Sequence, residues 1–362
     1  MYSTAVSTSQ EIEVSLIVTA YNEERLIERS IRSSLRLKDY NKASCKIIYV
    51  CDVGSDKTHE IAESFREQLD VLLIREERGG KVTALKDAMK HVEGDYVLIL
   101  DADCLPPIDF VDRMLAELDD DMNIVGVQAI PIPTSSNRFV ETFASVDESW
   151  GYFLRYLWSK LEGADFIGRA CLFRREILQT FGWCDCLSED LELSTRLVVN
   201  RHKIKYTNIF VPEDKPKSLK AFIKQRIRWG TGALEVAKTH FKSLYSAVGV
   251  SRTQKIAYAT YMLFPIGFYP VFIFLVLMLT LEKFFSWPGL GLWAYPLNYF
   301  IWCILLAVPL SCSWLYVYGL EKWKTAFIGL ALPLMIPIYS VITIGIIISL
   351  IKGTPEWYKT ER

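Results

Sequence analysis

Short apolar runs recur along the first 130 residues of the chain, and each run ends at polar or turn-forming residues. The runs lie at 14–20, 46–51, 71–74, 96–100 and 124–130. Their length and lack of alternation are typical of strands buried on both faces of a parallel sheet. Stretches with helical spacing separate them, at 24–36, 57–69, 81–92 and 108–118. This alternation predicts an α/β protein with a doubly wound, mostly parallel sheet.

A longer helical pattern follows at 138–162, and it is rich in aromatic residues. Such a helix fits the core of a domain as well as it fits the surface of a membrane, where Trp and Tyr are favoured. Both interpretations stay open at this point.

Charged residues become rare after Lys255. Three uncharged blocks follow, at 256–281, 284–320 and 325–351. A helix needs about 20 apolar residues to cross a bilayer. We therefore predict C-terminal transmembrane helices near 257–281, 295–319 and 326–350. Buried helices of a large soluble core are the alternative, and it is disfavoured because apolar blocks of this length are rare in soluble domains.

The chain as a whole has 362 residues, of which 51% are hydrophobic, and a formal net charge of −1. Its first residues are polar and lack the apolar region of a secretory signal peptide, so we expect the N-terminal domain to be cytoplasmic. The eight cysteines show neither a CxxC pair nor zinc-type spacing, which fits reduced thiols in the cytosol. We divide the chain into a tail (1–12), an α/β domain with interfacial helices (13–245) and a transmembrane region (246–362).

Carboxylates follow two of the predicted strands. Asp52 and Asp56 come after the second strand, and Asp101 and Asp103 come after the fourth. Ligands of such sheets bind beyond the carboxyl ends of the strands. Two carboxylates this close repel unless a cation neutralises them, and Mg²⁺ or Mn²⁺ suits such oxygen ligands while also binding phosphates. A solvated loop is the alternative, but the position directly after a buried strand favours a metal site.

Two common phosphate-binding motifs are missing. The sequence has no GxGxxG after a strand and no GxxxxGK[ST], which disfavours a dinucleotide oxidoreductase and a P-loop NTPase. The segment RGGK at 78–81 offers flexible backbone and a cation at a helix start, where a phosphate could bind. Near a later helix start, Ser188 fits an N-cap. Glu189 and Asp190 beside it either compensate the helix dipole or include a general base.

Five motifs in order resemble those of family 2 glycosyltransferases, in particular the membrane-embedded members. They are VTAYNEE at 18–24, CDVGSDKT at 51–58, LDADC at 100–104, SEDLEL at 188–193 and QRIRW at 225–229. The resemblance covers about 13–245 and implies the GT-A fold, which binds nucleotide-diphosphate sugars. A helix at 217–238 would then lie at the membrane surface.

The resemblance also implies roles for individual residues. Donor contacts would come from Tyr21, Glu23, Asp52, Lys81, Asp101, Gln225, Arg228 and Trp229. Asp103 and Asp101 would hold Mg²⁺ or Mn²⁺. Asp190, with Glu189 beside it, would take the proton of the acceptor hydroxyl. Arg226 and Arg228 could instead meet anionic lipids, with Trp229 among the headgroups.

The implied activity is inverting, metal-dependent transfer of a sugar from a nucleotide-diphosphate sugar, a UDP-sugar before a GDP-sugar. The acceptor would be a membrane lipid, a lipid-linked molecule or a glycan, and we expect no nucleic-acid partner. A processive polysaccharide synthase of the same family is one alternative. A non-catalytic membrane subunit that binds a nucleotide sugar is another. The sugar, the acceptor, the side of the C-terminus and the oligomeric state stay open.

Overall fold

The computed structural model describes residues 13–118, 122–134, 139–263 and 338–353. Within these residues the strands are β1 (Glu13–Ala20), β2 (Ser44–Cys51), β3 (Val71–Ile74), β4 (Tyr96–Asp101), β5 (Ile124–Pro133), β6 (Cys171–Arg174) and β7 (Lys203–Glu213). They form one sheet in the order β3-β2-β1-β4-β6-β5-β7. The predicted α/β class and mostly parallel sheet are therefore confirmed.

Helices cover both faces of the sheet. They are α1 (Ile27–Tyr40), α2 (Thr58–Glu63), α3 (Gly80–Met89), α4 (Phe110–Ala116), α5 (Phe139–Ser159), α6 (Arg175–Phe181), α7 (Glu189–Val199) and α8 (Leu219–Ser246). Residues 252–263 and 338–352 are also helical. The N-terminus of α8 is capped by Ser218, whose side chain accepts a hydrogen bond from the Ala221 amide, as expected of a serine at this position.

The central strands are buried on both faces, as their unbroken apolar runs predicted. Leu16 of β1 packs into the cluster on one face, and Ile17 packs into the cluster on the other. Ser15 is a polar residue in the same buried strand. Its hydroxyl donates to the Glu93 carbonyl oxygen at 2.7 Å, so the group is satisfied.

Parallel pairing brings the acidic loops to one edge. β1 pairs in parallel with β2 and with β4, and the register places Ala20 opposite Cys51 and Thr19 opposite Asp101. The residues that follow these strands therefore leave the sheet side by side. The order of strands thus assembles segments that are far apart in sequence at one carboxyl edge.

Strand β6 runs against its neighbours. It lies between β4 and β5 and is antiparallel to both, with Cys171 opposite Ile99 on one side and Gln128 on the other. Its N-terminal end therefore lies near the carboxyl end of β4 and beside the middle of β5. Neither β6 nor β7 was predicted from the sequence. β6 has only four residues, and β7 has alternating burial in place of an apolar run.

Some helix boundaries differ from the prediction. The helix expected at 24–36 begins only at Ile27, because the Glu23 amide donates to Thr58 Oγ1 and the Glu24 amide to Asp56 Oδ2. These bonds hold both residues in a loop. The helix expected at 57–69 is divided into α2 and a 3₁₀ turn at Arg66–Gln68.

The predicted spans 257–281, 295–319 and 326–350 lie largely outside the described residues, as does the tail 1–12. Among the residues that are described, none of the helices combines the length and the apolar character needed to cross a membrane. The start of the first predicted span packs on the α/β domain, where Tyr258 and Tyr261 donate hydrogen bonds to the carbonyl oxygens of Ala164 and Gly163.

Candidate active site

A cavity of about 290 Å³ lies at the carboxyl edge of β1, β2 and β4. All but one of the candidate site residues line it: Tyr21, Glu23, Asp52, Lys81, Asp101, Asp103, Glu189, Asp190, Arg228 and Trp229. They come from the loops after three strands and from the starts or middle of three helices. The sheet and its helices thus bring together five motifs that are separated along the chain.

Gln225 is the exception, since it is not among the described residues that line the cavity. It is buried, and its Oε1 accepts a hydrogen bond from Arg226 Nη1 at 2.7 Å. It lies one helical turn before Trp229 on α8. The structure therefore does not bring Gln225 to the donor residues, and its amide contacts the neighbouring arginine.

Asp52 binds the start of α3. Its carboxylate accepts hydrogen bonds from the Gly79 amide at 3.1 Å and from the Gly80 amide at 2.8 Å, and Arg75 lies 3.3 Å away. A carboxylate at a helix N-terminus is favoured by the unpaired amides and the helix dipole. The glycine amides of RGGK, which the sequence offered as a phosphate cradle, are therefore occupied by Asp52.

The loops after β1 and β2 are tied to each other. Asn22 Oδ1 accepts from the Ser55 amide at 2.8 Å. In the same loop, the Tyr21 ring lies under the Arg78 guanidinium, 4.7 Å from ring centroid to guanidinium carbon. Asn22 adopts φ 54°, a left-handed conformation that asparagine tolerates better than most residues. These contacts fix the wall of the cavity that carries Tyr21 and Glu23.

Lys81 connects the acidic loop to the start of α7. Its Nζ donates to Asp101 Oδ1 at 3.0 Å and to the Gly168 carbonyl oxygen at 2.8 Å, and it lies 3.5 Å from Glu189 Oε1. Burial alone would lower the pKa of Lys81, but the charges of Asp101 and Glu189 raise it. Burial raises the pKa of Glu189, while Lys81 opposes that rise. The ammonium therefore stays charged between two carboxylates.

Asp190 lies in the first turn of α7, where its Oδ1 accepts from the Leu191 amide at 2.8 Å. Gly168 approaches it closely, because a Cβ added to Gly168 would lie 3.0 Å from Asp190 Oδ2. Gly168 also has φ +81°, a conformation that favours glycine. The sequence did not single out Gly168. The only local signal was a glycine just before the short apolar run of β6.

Ser188 occupies the predicted N-cap position of α7, but its side chain makes no capping hydrogen bond. It packs against α8 instead. A Cβ added to Gly232 would come 2.2 Å from Ser188 Oγ, so a glycine is required for this contact. The start of α7 is thus positioned by packing on α8 as well as by its own amides.

Asp103 is buried and Asp101 is half-buried, and both line the cavity. Within the described ranges, no group of three or more His, Cys, Asp or Glu side chains is arranged to hold a metal ion. Two carboxylates fit a hard divalent cation that takes its other ligands from a diphosphate and from water. The donor set is therefore compatible with the predicted Mg²⁺ or Mn²⁺, bound together with a substrate.

The two arginines of QRIRW have different surroundings. Arg228 lines the cavity, and burial lowers its pKa although Glu189 and Asp190 oppose that effect. Arg226 is 2% exposed, and its Nε donates to Asp147 at 2.6 Å. Arg226 is therefore too buried to contact lipid headgroups, and this alternative, which the sequence left open, is wrong for Arg226.

A buried ionic network lies beside the cavity, and no local sequence pattern predicts it. Lys215 Nζ donates to Glu148 and, at 2.5 Å, to Glu213 Oε1. Arg169 pairs with Glu213, and Arg226 Nη2 donates to Glu148 at 3.2 Å. Burial would raise the pKa of Glu148, but Lys215 and Arg226 outweigh it and lower that pKa to about 2. The network joins α5, β7 and α8 around the site.

Residues 15–182 match the protein-family model described as Glycosyl transferase family 2. This segment is a family 2 glycosyltransferase domain. Over 240 residues it is 28% identical to poly-beta-1,6-N-acetyl-D-glucosamine synthase from Staphylococcus aureus (strain COL), covering 64% of this chain and 57% of that protein. Over 246 residues it is 29% identical to the uncharacterized glycosyltransferase YaiP of Escherichia coli (strain K12), covering 66% and 61%. The chain thus spans less than two thirds of the length of these relatives.

The chain also resembles a solved structure, the mannosyltransferase PcManGT from Pyrobaculum calidifontis in complex with GDP-Man and Mn²⁺. The TM-score is 0.62 at 20% sequence identity, and the match covers 95% of this chain and 87% of that chain. At this identity the likeness concerns the fold alone. It confirms the predicted GT-A type of α/β fold.

Proposed function

We propose that this protein is an inverting, metal-dependent glycosyltransferase. It moves a sugar from a nucleotide-diphosphate sugar to a hydroxyl of a lipid, a lipid-linked molecule or a glycan at a membrane. One observation carries the proposal. The Asp101–Asp103 pair, Lys81, Arg228 and the start of α7 with Asp190 face one cavity.

The donor binds along the carboxyl edge of the sheet. Tyr21, Glu23 and Asp52 contact the nucleoside from the two connected loops. Lys81 and Arg228 supply positive charge toward the diphosphate, and the planar guanidinium of Arg228 suits phosphate oxygens. Trp229 offers an apolar face against a sugar ring. Asp101 and Asp103 would hold Mg²⁺ or Mn²⁺, and the bound ion would supply positive charge at the diphosphate.

Asp190 acts as the general base. Its carboxylate takes the proton of the acceptor hydroxyl as that oxygen forms a bond to the anomeric carbon. The bond between the anomeric carbon and the diphosphate oxygen breaks, and its electron pair leaves with the nucleoside diphosphate. Direct displacement inverts the anomeric centre. Glu189, beside the base, forms an ion pair with Lys81 and so orients the start of α7.

The enzyme works at a membrane, with its family 2 domain in the cytoplasm. The three uncharged blocks after Lys255 support an integral membrane protein. A polysaccharide synthase is a second candidate, and the printed name of the Staphylococcus aureus relative supports it. The same name supports N-acetylglucosamine as the sugar, which the expected UDP-sugar donor would carry as UDP-N-acetylglucosamine, whereas the GDP-Man of PcManGT supports a GDP-sugar. Both nucleotides therefore belong in the test.

A thermal-shift screen of the detergent-solubilised protein tests the proposal. UDP-glucose, UDP-N-acetylglucosamine, UDP-galactose, GDP-mannose and NADPH are each added with Mn²⁺ and with EDTA. A ligand that binds the folded state alone raises the melting temperature by mass action. We expect a shift with one nucleotide sugar that requires Mn²⁺.

The same screen contains the results that would oppose the proposal. A shift with NADPH that EDTA does not change would indicate an oxidoreductase. A Mn²⁺-dependent shift with a nucleotide sugar, without release of nucleoside diphosphate on incubation, would indicate the non-catalytic subunit.

A further inference from the structure

The cavity has a second wall that carries none of the proposed donor residues. It is formed by α5, by the segment before β6 and by helix 252–263. At its centre, Arg155 Nε donates to both carboxylate oxygens of Asp165, at 3.1 and 3.0 Å. Asp165 is 1% exposed. Tyr206 also donates to Asp165 Oδ1 at 3.0 Å, so this carboxylate is held on two sides.

This wall is tied to the helix that carries the proposed base. The Phe166 amide donates to Ser194 Oγ at 2.7 Å, and Ser194 Oγ donates to the Asp190 carbonyl oxygen at 2.7 Å. Asp165 therefore directly precedes a residue that is hydrogen-bonded to α7 one turn beyond Asp190. A molecule bound against Arg155 and Asp165 would lie in the same cavity as the base.

The guanidinium of Arg155 is held in place with part of its hydrogen-bonding capacity unused. Its carbon lies 5.1 Å from the centroid of the Tyr261 ring, and the Tyr261 hydroxyl is fixed on the Gly163 carbonyl oxygen at 2.8 Å. No described residue accepts a hydrogen bond from Nη1 or Nη2. Gly151 lines the cavity, and a Cβ added to it would lie 3.5 Å from Arg155 Nη1. Arg155 itself lines the cavity, so the N–H groups of Nη1 and Nη2 are available to a molecule bound there.

A buried ion pair contributes little net stability, because the desolvation of both charges offsets their attraction. Placed on a cavity wall with donors to spare, such a pair indicates a ligand site. The pair offers N–H donors from Arg155 and acceptor oxygens from Asp165. The ring of Tyr261 adds an apolar surface. Hydroxyl groups on an otherwise apolar ring match this combination.

The charges of the wall favour an uncharged ligand. Arg155 is paired with Asp165, Arg226 with Asp147 and Glu148, and Arg169 with Glu213. Each of these three cations is therefore already neutralised by a buried or half-buried carboxylate. A phosphate bound here would be repelled by these carboxylates, because the three cations are already paired with them. A neutral sugar ring would meet no such repulsion.

We infer that Arg155, Asp165 and Tyr261 form a subsite for an uncharged sugar residue at the reacting end of the acceptor. The inference rests on the proposed function. The subsite orients the ring so that one of its hydroxyls faces Asp190, which removes the proton as described above. Arg155 is then a specificity-determining residue that selects a glycoside over a phosphorylated lipid.

The experiment uses the full chain in detergent with Mn²⁺ and each of the four nucleotide sugars. The acceptor probes are octyl β-D-glucoside, octyl β-D-galactoside, octyl N-acetyl-β-D-glucosaminide and octyl phosphate. We expect transfer to at least one glycoside and none to octyl phosphate. Arg155→Lys keeps the ion pair with Asp165 but loses the planar fork. It should raise the KM for the glycoside about tenfold, the effect of losing one hydrogen bond from a charged group.

Donor readouts separate this inference from the proposed function. In Arg155→Lys the KM for the nucleotide sugar, its slow hydrolysis and its thermal shift should equal those of the wild type. Arg196→Lys is the matched control. Arg196 pairs with Glu192 and is exposed to a similar degree, 24% against 29% for Arg155, but does not line the cavity. It should leave the acceptor KM unchanged.

Each other result counts against the inference. Failure of every glycoside, with donor shift and hydrolysis intact, would overturn the subsite and leave the proposed function standing. An equal loss of donor affinity in Arg155→Lys, or an equal acceptor effect in Arg196→Lys, would show that Arg155 does not select the acceptor. If the wild type neither binds nor hydrolyses a nucleotide sugar, the proposed function fails and the subsite falls with it.

Discussion

The Arg226 guanidinium lies 4.3 Å from the centroid of the Trp229 ring. The same group lies 4.6 Å from the Phe222 ring, and Asp147 and Glu148 hold it by hydrogen bonds. Arg226 is therefore fixed at its charged end, and Trp229 packs on a cation that cannot turn away. The orientation of the proposed sugar platform therefore depends on a neighbouring cation that two carboxylates hold in place.

Replacement of Arg226 by Lys should loosen Trp229. Lysine keeps the charge but lacks the flat guanidinium that stacks on an aromatic ring and binds two carboxylates. We expect kcat/KM for transfer to fall about tenfold or more, because small displacements of positioning groups have large effects on rate. Donor binding, measured by thermal shift, should persist.

Arg32→Lys is the control for this substitution. Arg32 also stacks on an aromatic ring, Phe65, at 5.1 Å and also pairs with a carboxylate, Glu28, but it lies on the exposed face of α1. Its kinetics should match those of the wild type. An equal loss of activity in both variants would contradict the role given to Arg226.

Gly168→Ala should impair catalysis beyond its effect on folding. A methyl group here would crowd Asp190 Oδ2 and would sit at φ +81°. Strain of this kind costs about 1–3 kcal/mol in stability. Gly182→Ala is the control for backbone strain. Gly182 also has a positive φ, +60°, but no atom lies within 4 Å of an added Cβ. Both variants should lower the melting temperature, but kcat should fall only in Gly168→Ala, by about 10- to 100-fold.

Asp190→Asn should abolish transfer while keeping the donor bound. The amide cannot take a proton, and general-base catalysis contributes about 100- to 10,000-fold. The readouts are product formation and the Mn²⁺-dependent thermal shift. Near-normal turnover in this variant would remove Asp190 from the role of base.

Asp103→Asn should act earlier, on donor binding itself. The amide is a weaker ligand for a hard divalent cation than the carboxylate is. We expect the Mn²⁺-dependent shift with the nucleotide sugar to be lost or to need far more metal. A shift as large as that of Asp190→Asn would show that Asp103 does not hold the metal.

The stability of the domain should depend on pH through Glu148. Its folded-state pKa of about 2 lies below the ordinary value of 4.5. A lowered folded-state pKa stabilises the protein above pH 4.5, and this contribution is lost as the pH falls toward 2. Glu148→Gln should lower the melting temperature near neutral pH, since breaking a buried pair costs about 3–5 kcal/mol. Its melting temperature should also fall less steeply than that of the wild type below pH 4.5.

Glu93→Gln is the control for the acid experiment. Glu93 pairs with Lys46, but its side chain is 65% exposed. The curve of melting temperature against pH for this variant should run parallel to that of the wild type. If the curve for Glu148→Gln also ran parallel to that of the wild type, protonation of Glu148 would not be the cause of the lost stability at low pH.

The sequence was sufficient to predict strands β1 to β5. It also predicted that Tyr21, Asp52 and Asp101 lie in one site. Each strand is a local pattern, and parallel neighbours must end at the same edge. The motifs at these ends could therefore be placed in one site before the order of strands was known. The sequence offered Lys81 as a cation near a phosphate, but its position between Asp101 and Glu189 was not predicted.

The second half of the site depends on contacts between distant segments. β6 is too short to show a pattern, and its place between β4 and β5 is set by pairing alone. Lys215 and Glu148 meet across 67 residues, and neither residue has a local signal for burial. From the sequence, Arg226 could contact either lipid headgroups or the interior of the domain, because a basic residue near an apolar segment is compatible with both. Periodicity gives the faces of elements but does not identify the partners of buried charges.

The reversed direction of β6 has a consequence for how such enzymes diversify. The loops that leave β1, β2 and β4 carry the proposed donor residues, whereas the segment that enters β6 carries Asp165 and Gly168. Under the proposed function, two separate stretches of chain would serve the two substrates. Insertions or exchanges before β6 can change the acceptor without altering the loops for the nucleotide. A graft of residues 139–170 together with helix 252–263 would accordingly move the whole proposed acceptor subsite from one relative to another.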